Sequence, residues 1–423
     1  MKVVRRQHAI GQGSFHTASI SLETTEPYPT EATFNYVYDC GSDNYSALNR
    51  EIGVFVHSNK KVDALFISHL DSDHVSGLDR LIAGIDIDTV YLPYVDDMVA
   101  LMELLEAEAS VGLTGSLIEA ALDPAGFFGR RGVRRVVRVH SGGAPDSDGL
   151  ILPDLPREPE PGGGPIAPKE NPQAKLIMNE TKGELAELCE MEEDTVITLH
   201  AIGRILDWVL VPHVTPVPRE NTIAFKKAIR KVLKLASGQR LTNKRLIRGL
   251  FNTVLRKAFK KCYEEIISGG ASRSHNRVSM SLYSGPTGRM PNDNWERSLR
   301  MERNLSGEYW PCIWHHGTVG WMGTGDAMLN LEMVRKAWKK TYGPLLSQVA
   351  SLLLPHHGSR NSFHAELLQM PSLDVCLASA ADPSQYKHPN VEVIAQCTEA
   401  GKRFIHVSQD QRSGVTELIF SSA

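Results

Sequence analysis

The sequence predicts an α/β fold, because short apolar strands alternate along it with stretches of helical periodicity. Near-continuous apolar runs at 62–68 and 349–354 are typical of strands that are buried on both faces. Several of these runs end in turns that carry Asp or His. One segment departs from the pattern, since residues 219–261 are strongly basic and helical. We therefore expect a layered α/β domain with an inserted basic segment.

The first hundred residues have the pattern of strands joined by short turns, with one helix at 77–83. The strands predicted in this part are 18–22, 34–38, 62–68 and 90–92. Residues 101–123 have Leu and Ala at helical spacing, whereas 142–172 are rich in Pro, Gly and acid, which indicates a loop or linker. Two further strands are expected at 194–200 and 208–214.

The basic segment 219–261 holds fourteen Lys or Arg and one acid, a charge of +13 that leaves −16 for the rest of the chain. Two amphipathic helices are predicted, one lined by Phe225, Ile229, Val232 and Ala236 and the other by Leu250, Val254, Leu255 and Ala258. A solvated helical surface would explain the charge, but a polyanion is the natural partner. Phe225 and Phe259 fit core positions, so base stacking is not obviously provided for. The residues expected to contact nucleic acid are Lys226, Lys227, Arg230, Lys231, Lys244, Arg245, Arg248 and Lys257.

The last third returns to the strand pattern, with helices expected at 328–342 and 364–369. Its predicted strands are 278–283, 311–313, 320–322, 349–354, 375–378, 404–407 and 416–420. These short strands with intervening helices have the same character as the first hundred residues. The basic segment therefore separates two similar α/β portions.

The bulk composition is that of an ordinary globular protein, with 42% hydrophobic and 22% charged residues in 423. The six cysteines include no C-x-x-C pair, which argues against a zinc ribbon or disulfide framework and fits a reducing compartment. The first residues lack the apolar stretch of a signal peptide, and no apolar run is long enough to span a bilayer. We expect a cytoplasmic protein with no membrane partner.

Residues 69–74 place four metal-ligand side chains in six positions, directly after the apolar run 62–68. They are His69, Asp71, Asp73 and His74. A strand that opens into a short loop turns such side chains toward one side. Carboxylates at this density repel one another unless a cation or a hydrogen-bond network neutralises them. The cluster therefore predicts a metal site.

Three later turns carry further ligand types at the ends of predicted strands. They are Thr324-Gly325-Asp326, Pro355-His356-His357-Gly358-Ser359 and Lys387-His388-Pro389-Asn390. Taken alone, a turn of this kind is more often an ordinary solvated loop than a segment that binds a metal. In α/β folds, however, such turns collect at one edge of the sheet, so all four segments together favour one shared site.

These motifs resemble those of metallo-β-lactamase-fold hydrolases, whose metal motif is similar to the cluster 69–74. The finer pattern resembles one branch, which includes the nuclease-like domain of the competence DNA-uptake channel protein. The further similarities are a G-Q-G turn at 11–13, D-x-G at 39–41, T-G-D at 324–326, H-H-G-S at 356–359 and H-P at 388–389. The resemblance covers roughly 5–95 and 275–420 and implies an αββα sandwich.

The resemblance also implies two divalent metal ions, Zn or Mn. One metal would be held by His69 and Asp71, the other by Asp73, His74 and His388, with Asp326 as the bridge. Asp39 is similar to the carboxylate that orients a metal ligand. The residues expected to act in catalysis are Asp73, His356 and His357. One of these two histidines would give the leaving group its proton.

A further histidine that many members of the fold have between the cluster and the bridging Asp is not evident in this sequence. The candidates for it are His140, His200, His213, His315 and His316. Asp71 stands where many members have His, which makes the first site richer in oxygen and suits Mn²⁺ as well as Zn²⁺. The third ligand of the first metal therefore stays open.

The favoured interpretation is a nuclease or phosphodiesterase in which a hydroxide held between two metals attacks the phosphorus of DNA or RNA. Hydrolysis of a small molecule (a cyclic nucleotide, thioester or lactone) stays open, as does a non-enzymatic metal-bearing module that binds nucleic acid or a protein. A stand-alone member of this branch would also suit a role in antiviral defence. The expected organisation is 1–141 and 271–423 as the two halves of the fold, 142–180 as a loop and 181–270 as the insertion.

Overall fold

The computed structural model describes most of the chain, and every structural statement below concerns the described residues. These are 1–24, 30–94, 115–141, 150, 152, 166–178, 185–192, 195–201, 204–215, 219–267, 278–289, 295–301 and 314–421. The predicted strand at 311–313 and the first part of the helix predicted at 101–123 lie outside them. So does most of the predicted loop 142–172.

The first sheet has eleven strands within the described residues, numbered here in chain order. In spatial order they are β14 (Trp314–His316), β13 (Trp295–Met301), β19 (Val415–Ser421), β1 (Lys2–Gln7), β2 (Gly13–Thr24), β3 (Thr30–Ser42), β4 (Lys61–Phe66), β5 (Asp86–Pro93), β6 (Arg135–Val139), β9 (Glu187–Met191) and β8 (Lys175–Met178). The strands from β3 to β9 pair in parallel, and the remaining pairs are antiparallel.

The second sheet has eight strands in the same described part of the chain. In spatial order they are β18 (Arg403–Val407), β17 (Val375–Ser379), β16 (Val349–Leu353), β15 (Gly320–Gly323), β12 (Met280–Gly285), β11 (Arg204–Val214), β10 (Val196–Ala201) and β7 (Ala167–Asn171). β15 to β18 are parallel, so their carboxyl ends meet at one edge of the sheet.

The helices lie between the strands along the chain. They are α1 (Tyr45–Ser58), α2 (Ser72–Val75), α3 (Leu78–Gly84), α4 (Gly115–Leu122), α5 (Pro124–Gly129), α6 (Arg219–Val232), α7 (Asn243–Phe251), α8 (Thr253–Ile267), α9 (Glu332–Tyr342) and α10 (Val391–Glu399). Short 3₁₀ turns occupy Gly343–Gln348, Pro355–Gly358, Ala365–Gln369 and Gln411–Ser413. Among the described helices, none is long and apolar enough to cross a membrane.

Three buried apolar clusters define the layers. The central cluster joins inward-facing residues of both sheets, such as Phe34 and Trp208. A second cluster packs α1, α3, α4, α5 and the basic helices on the outside of the first sheet. The third packs α9 and α10 on the outside of the second sheet. The layers are therefore helix, sheet, sheet and helix, and the predicted αββα sandwich is confirmed.

Most predicted strands are found, and they extend further than their apolar runs. Residues 18–22 and 34–38 lie inside β2 and β3, and the other strands predicted within the described residues match β4, β5, β10–β12 and β15–β19 to within a few residues. The helix expected at 364–369 is a 3₁₀ turn. The loop predicted at 142–172 was wrong at its end, since 167–171 pair with β10 as an edge strand.

The basic segment forms three helices rather than the two that were predicted. The helix is interrupted at Asn252, whose backbone is extended. Its side chain accepts hydrogen bonds from backbone amides in the first turn of α8. The sequence predicted Val254 on the apolar face of a helix, but the break at Asn252 leaves it exposed. The range 181–270 also includes strands β9 to β11 of the two sheets, so only α6 to α8 lie outside the sheets. The domain boundaries themselves stay a prediction.

A buried ionic cluster joins the two sheets. Glu417 on β19 lies 2.8 Å from Arg5 on β1 and 3.2 Å from Arg297 on β13. Ser351 of β16 in the opposite sheet donates to Glu417 at 2.6 Å. Burial alone would raise the pKa of Glu417, but the guanidinium groups of Arg5 and Arg297 hold it below its usual range.

We predict that Glu417→Gln lowers the free energy of unfolding by about 3–5 kcal/mol at pH 7, because it leaves the buried guanidinium of Arg5 without its anion and Arg297 with Asp374 alone. The folded pKa of Glu417 is depressed, so its contribution is present above its unfolded pKa and is lost as pH falls through the folded value. The gap between variant and parent should therefore narrow on acidification below about pH 4. Urea unfolding at several pH values measures this.

Glu392→Gln is the matched control, because Glu392 pairs with Arg360 at 3.3 Å on the exposed surface. Its loss should cost less than about 1 kcal/mol. A Glu417→Gln protein as stable as the control at pH 7 would contradict the role given to the buried cluster.

Candidate metal centre

The loop after β4 is shaped by close contact with glycines of β2 and β3. His74 N and Val75 N both bond to Asp71 O, at 2.9 and 3.1 Å, which winds residues 72–75 into α2. A Cβ on Gly41 would lie 2.6 Å from His74 N, and one on Gly13 would lie 2.5 Å from Asp73 O. The D-C-G and G-Q-G motifs are therefore the surface against which the predicted cluster packs.

Asp326 lies opposite this loop, on the turn after β15. Its backbone N–H donates to Ser279 Oγ at 2.9 Å, and the preceding Gly325 has a φ of +51°. Gly325 O in turn accepts from His356 N at 3.0 Å, so the T-G-D turn is bonded to the two-histidine turn. The ends of β4, β15 and β16 are thereby brought to one place.

The two oxygens of Asp326 face two different pairs of histidines. Oδ1 lies 3.2 Å from His74 Nε2 and 3.8 Å from His357 Nε2. Oδ2 lies 3.7 Å from His69 Nε2 and 3.6 Å from His356 Nδ1. A carboxylate in this position is able to bridge two cations.

Asp39 and Ser68 fix the outer edges of two of these imidazoles. Asp39 Oδ2 lies 2.8 Å from His74 Nδ1 and accepts from Ser68 Oγ at 2.8 Å, while Asp39 Oδ1 accepts from Ser68 N at 2.7 Å. Ser68 Oγ lies 2.9 Å from His69 Nδ1 and, with its own proton on Asp39, is left to accept there. The Nδ1 atoms of both histidines are therefore occupied by these contacts, and Nε2 is the ring nitrogen that faces the centre.

His357 is oriented in the same way by the end of β17. Its Nδ1 donates to the backbone oxygen of Ser379 at 2.9 Å, and its Nε2 lies 3.1 Å from Asp73 Oδ2. His74 Nε2 is 4.0 Å from Asp73 Oδ1. Asp73, His74 and His357 thus form one side of the centre.

The donor atoms fit divalent metal ions. The Nε2 atoms of His69, His74 and His357 are buried and make no hydrogen bond to any residue in the described part of the chain. Two groups of side chains have their ligand atoms within 4.8 Å of one another, namely His69, His74 and Asp326, and Asp73, His74 and His357. Buried polar atoms without partners are costly, and a cation on these lone pairs would satisfy them. Imidazole nitrogen with carboxylate oxygen is a donor set that suits Zn²⁺ and Mn²⁺.

The backbone around the centre is strained. Among the non-glycine residues that the structure describes, five have positive φ, and four of these, Asp39, His356, His357 and Lys387, lie at or beside the centre. Each such residue costs of the order of 1–3 kcal/mol and persists only where its surroundings enforce it. Two consecutive left-handed histidines turn their rings to 87° from each other, so both reach Asp326 from one tight turn.

The charges of the centre balance one another. Burial, reinforced by His74, lowers the pKa of His69 to about 3, which keeps this imidazole neutral. Burial acts in the same direction on His74, but the carboxylates of Asp326, Asp39 and Asp73 outweigh it and raise the pKa of His74 well above its ordinary value. Without a metal, the raised pKa values of His74 and His357 favour a proton at Nε2, the atom that a metal would otherwise occupy.

Two predicted ligands lie at the margin of the centre. Asp71 Oδ2 is 3.7 Å from His69 Nε2, with 15% of its side chain exposed. The ring of His388 lies 5.2 Å from that of His356 and 6.3 Å from that of His357, and His388 is in neither ligand group of the described residues. His357 therefore stands beside Asp73 and His74, where the resemblance had placed His388. The ligand assignment as a whole stays a prediction.

The histidines considered as the missing ligand lie elsewhere. His140 contacts Glu190, His200 contacts Thr198, His213 contacts Thr341, and the exposed His316 lies 3.9 Å from Glu296. The side chain of His315 is outside the described residues. None of the four described candidates belongs to a ligand group.

The residues expected to contact nucleic acid lie on α6 to α8. Lys226, Lys227, Lys231, Lys244, Arg248 and Lys257 are exposed. Arg230 and Arg245 are half-buried and donate to backbone oxygens of the loop between α6 and α7. These two arginines therefore hold the loop in shape as well as adding charge.

Sequence reasoning missed Ser68 and Asp43. Ser68 is the hydrogen-bond link between Asp39, His69 and His74, yet it resembles any serine at a strand end. Asp43 is half-buried, and burial together with the carboxylate of Asp73 raises its pKa. The one signal for Asp43 in the sequence was its position two residues after the D-C-G motif.

Residues 30–165 match the family model of the metallo-beta-lactamase superfamily. The matched range includes the cluster 69–74, and members of that superfamily are typically hydrolases that bind divalent metals. The match gives no support to the competence nuclease-like branch in particular. No curated protein matches the chain.

We predict that Asp39→Asn weakens metal binding by about 10- to 100-fold, because the amide no longer holds the Nδ1 proton of His74 and the Oγ proton of Ser68 as an anion does. Zn²⁺ titration against a chromogenic chelator measures the affinity. Asp88→Asn is the control, since Asp88 pairs with Arg134 away from the centre. Equal affinities for Asp39→Asn and the parent would exclude an orienting role for Asp39.

Proposed function

We propose that this protein is a phosphodiesterase that uses two divalent metal ions, Zn²⁺ or Mn²⁺, to hydrolyse nucleic acid. The observation that carries the proposal is Asp326, whose two oxygens face separate pairs of histidines. A bridging carboxylate of this kind is the expected core of a two-metal hydrolytic site. The superfamily match supports the hydrolase class, and the two-metal count and the substrate are our inference.

The residues divide into two sets around Asp326. His74, Asp73 and His357 would hold one ion through Oδ1, and His69 and Asp71 would hold the other through Oδ2. Ions bound there supply a hydroxide at neutral pH and stabilise charge on phosphoryl oxygens. Asp39, Ser68 and the backbone of Ser379 occupy the Nδ1 atoms of these histidines, so Nε2 is the nitrogen left for an ion.

His356 is the better of the two candidates for the substrate side. The side chain of His356 is 22% exposed, whereas that of His357 is 4% exposed and has its Nδ1 on Ser379 O. An exposed imidazole is able to approach the leaving oxygen of a bound phosphodiester. We therefore assign contact with the leaving group to His356 rather than to His357.

The preference for a polyanionic substrate rests on the basic helices. Lys226, Lys227, Lys231, Lys244 and Lys257 are exposed, and none of them has an ion pair among the described residues. The segment 219–261 carries +13 while the rest of the chain carries −16, so positive charge is concentrated on one element. Contacts of this kind bind the phosphate backbone without reading sequence.

We predict metal-dependent cleavage of labelled DNA or RNA that Asp73→Ala reduces by at least about 100-fold, because one ion loses a carboxylate ligand. The assay compares nucleic acids with a panel of cyclic nucleotides, thioesters and lactones, with Zn²⁺ or Mn²⁺ added. Asp79→Ala is the control. Asp79 lies six residues after Asp73, is exposed and pairs with Arg131. Turnover of the small esters alone would favour the small-molecule alternative. Metal binding without any turnover would favour a binding module.

We also predict that nucleic-acid affinity falls steeply with salt, by roughly tenfold or more between 50 and 200 mM, as counterion release requires. Replacing Lys226, Lys227 and Lys231 by Ala should reduce the slope of log affinity against log salt by about one per lysine. Fluorescence anisotropy with a labelled oligonucleotide measures both quantities. The control is the double variant Lys60→Ala, Lys336→Ala, which removes exposed lysines outside the basic segment. An unchanged slope in the triple variant would contradict a contact between the basic helices and the nucleic acid.

A further inference from the structure

The junction between α7 and α8 exposes two apolar side chains in the middle of the basic segment. Phe251 ends α7 with 63% of its surface exposed, and Val254 begins α8 with 77% exposed. The other two phenylalanines of 219–261, Phe225 and Phe259, are fully buried. Phe251 is therefore the phenylalanine that this segment offers to a partner.

The exposure follows from a rigid turn. Asn252 Oδ1 accepts from Val254 N and Leu255 N, both at 3.1 Å, which caps α8 and breaks the helical phase. Directly behind the turn, a Cβ on Gly249 would lie 2.5 Å from the ring of Phe259. The two helices thus pack closely at this point. This contact holds in place the tip, which is the junction 251–254 between α7 and α8.

Helical spacing places basic residues in a column on each side of the tip. Lys244 and Arg248 precede Phe251 by seven and three residues and share its face of α7. Lys257 and Lys261 follow Val254 by three and seven residues and share its face of α8. All four basic residues are exposed. The tip is therefore an aromatic ring between two rows of cations.

We propose that this tip binds single-stranded nucleic acid, with Phe251 stacking on an unpaired base while Lys244, Arg248, Lys257 and Lys261 contact the flanking phosphates. A stacked ring between cationic rows is the arrangement that holds single strands with little regard to sequence. Bases in a duplex are already stacked and do not reach such a ring. The proposal rests on the proposed function, because it names the form of nucleic acid that the metal centre receives.

An anionic membrane is the rival partner for a basic surface with exposed apolar residues. The apolar part here is one ring and one small aliphatic side chain at a helix junction. An amphipathic membrane helix instead has a continuous apolar face, whereas the apolar residues of α7 and α8 such as Leu246, Leu250 and Phe259 are buried. The geometry favours nucleic acid.

The test is anisotropy binding of full-length protein to labelled oligo-dT, oligo-U and a DNA duplex, with Asp73→Asn in the background to prevent cleavage of the probe. Phe251→Ala should weaken binding of both single strands by roughly tenfold and leave duplex binding nearly unchanged. Phe251→Trp should restore single-strand binding, because a larger ring stacks at least as well. Ile223→Ala is the matched control, since Ile223 is 58% exposed on α6 of the same basic segment.

Equal losses for single strands and duplex, or no loss in Phe251→Ala, would overturn the stacking role. Phe251-dependent binding to phosphatidylserine vesicles without binding to either single strand would overturn it in favour of a membrane. The proposed function fails separately. Tight, Phe251-dependent binding with no metal-dependent cleavage by the parent chain would leave the tip as a binding site and dismiss the nuclease.

Discussion

The architecture depends on one electrostatic constraint, which is that several carboxylates converge where two sheets meet. Asp39 and Asp326 are almost completely buried, and Asp71 and Asp73 stand beside them. Buried carboxylates at this density are tolerated only with compensating cations and hydrogen bonds. The four surrounding histidines and the bonds from Ser68 supply part of the compensation, and divalent ions on the bare Nε2 atoms would supply the rest. The tight glycine contacts and the left-handed backbone at the centre serve this convergence.

The fold separates the candidate metal ligands from the main concentration of positive charge. The ligands sit at the ends of β4, β15 and β16, on turns fixed by mutual backbone hydrogen bonds. Positive charge is concentrated on α6 to α8, whose apolar side chains pack on the outside of the first sheet. Because the basic helices contribute no ligand to the two groups found among the described residues, substitutions on their surface leave the candidate metal ligands in place.

The sequence predicted the sandwich and most of its strands because an apolar run bounded by a turn is a local signal. It also predicted that His69, Asp73, His74 and Asp326 lie together, because adjacent strand ends in such a fold share an edge. The ligand role that the resemblance implied for His388 stays a prediction. Spacing along the chain did not reveal that His356 and His357 both adopt left-handed backbone, which brings His357 beside Asp73. Val254 was misplaced for a similar reason, because the break at Asn252 depends on a side-chain cap rather than on periodicity. The edge strand β7 carries few apolar residues, and its pairing is decided by β10, which lies about 25 residues further along the chain.

The distance along the chain between the two halves of the centre has a consequence for synthesis. The cluster 69–74 leaves the ribosome long before Asp326 and His357, and β15 and β16 then have to pair before the turns that carry those residues take shape. Contacts of such high sequence separation form late in folding. A growing chain therefore holds histidines and carboxylates without the bridging Asp326 until most of it has been translated. The candidate metal centre would therefore be complete only after the strands of the second sheet that carry Asp326 and His357 have paired.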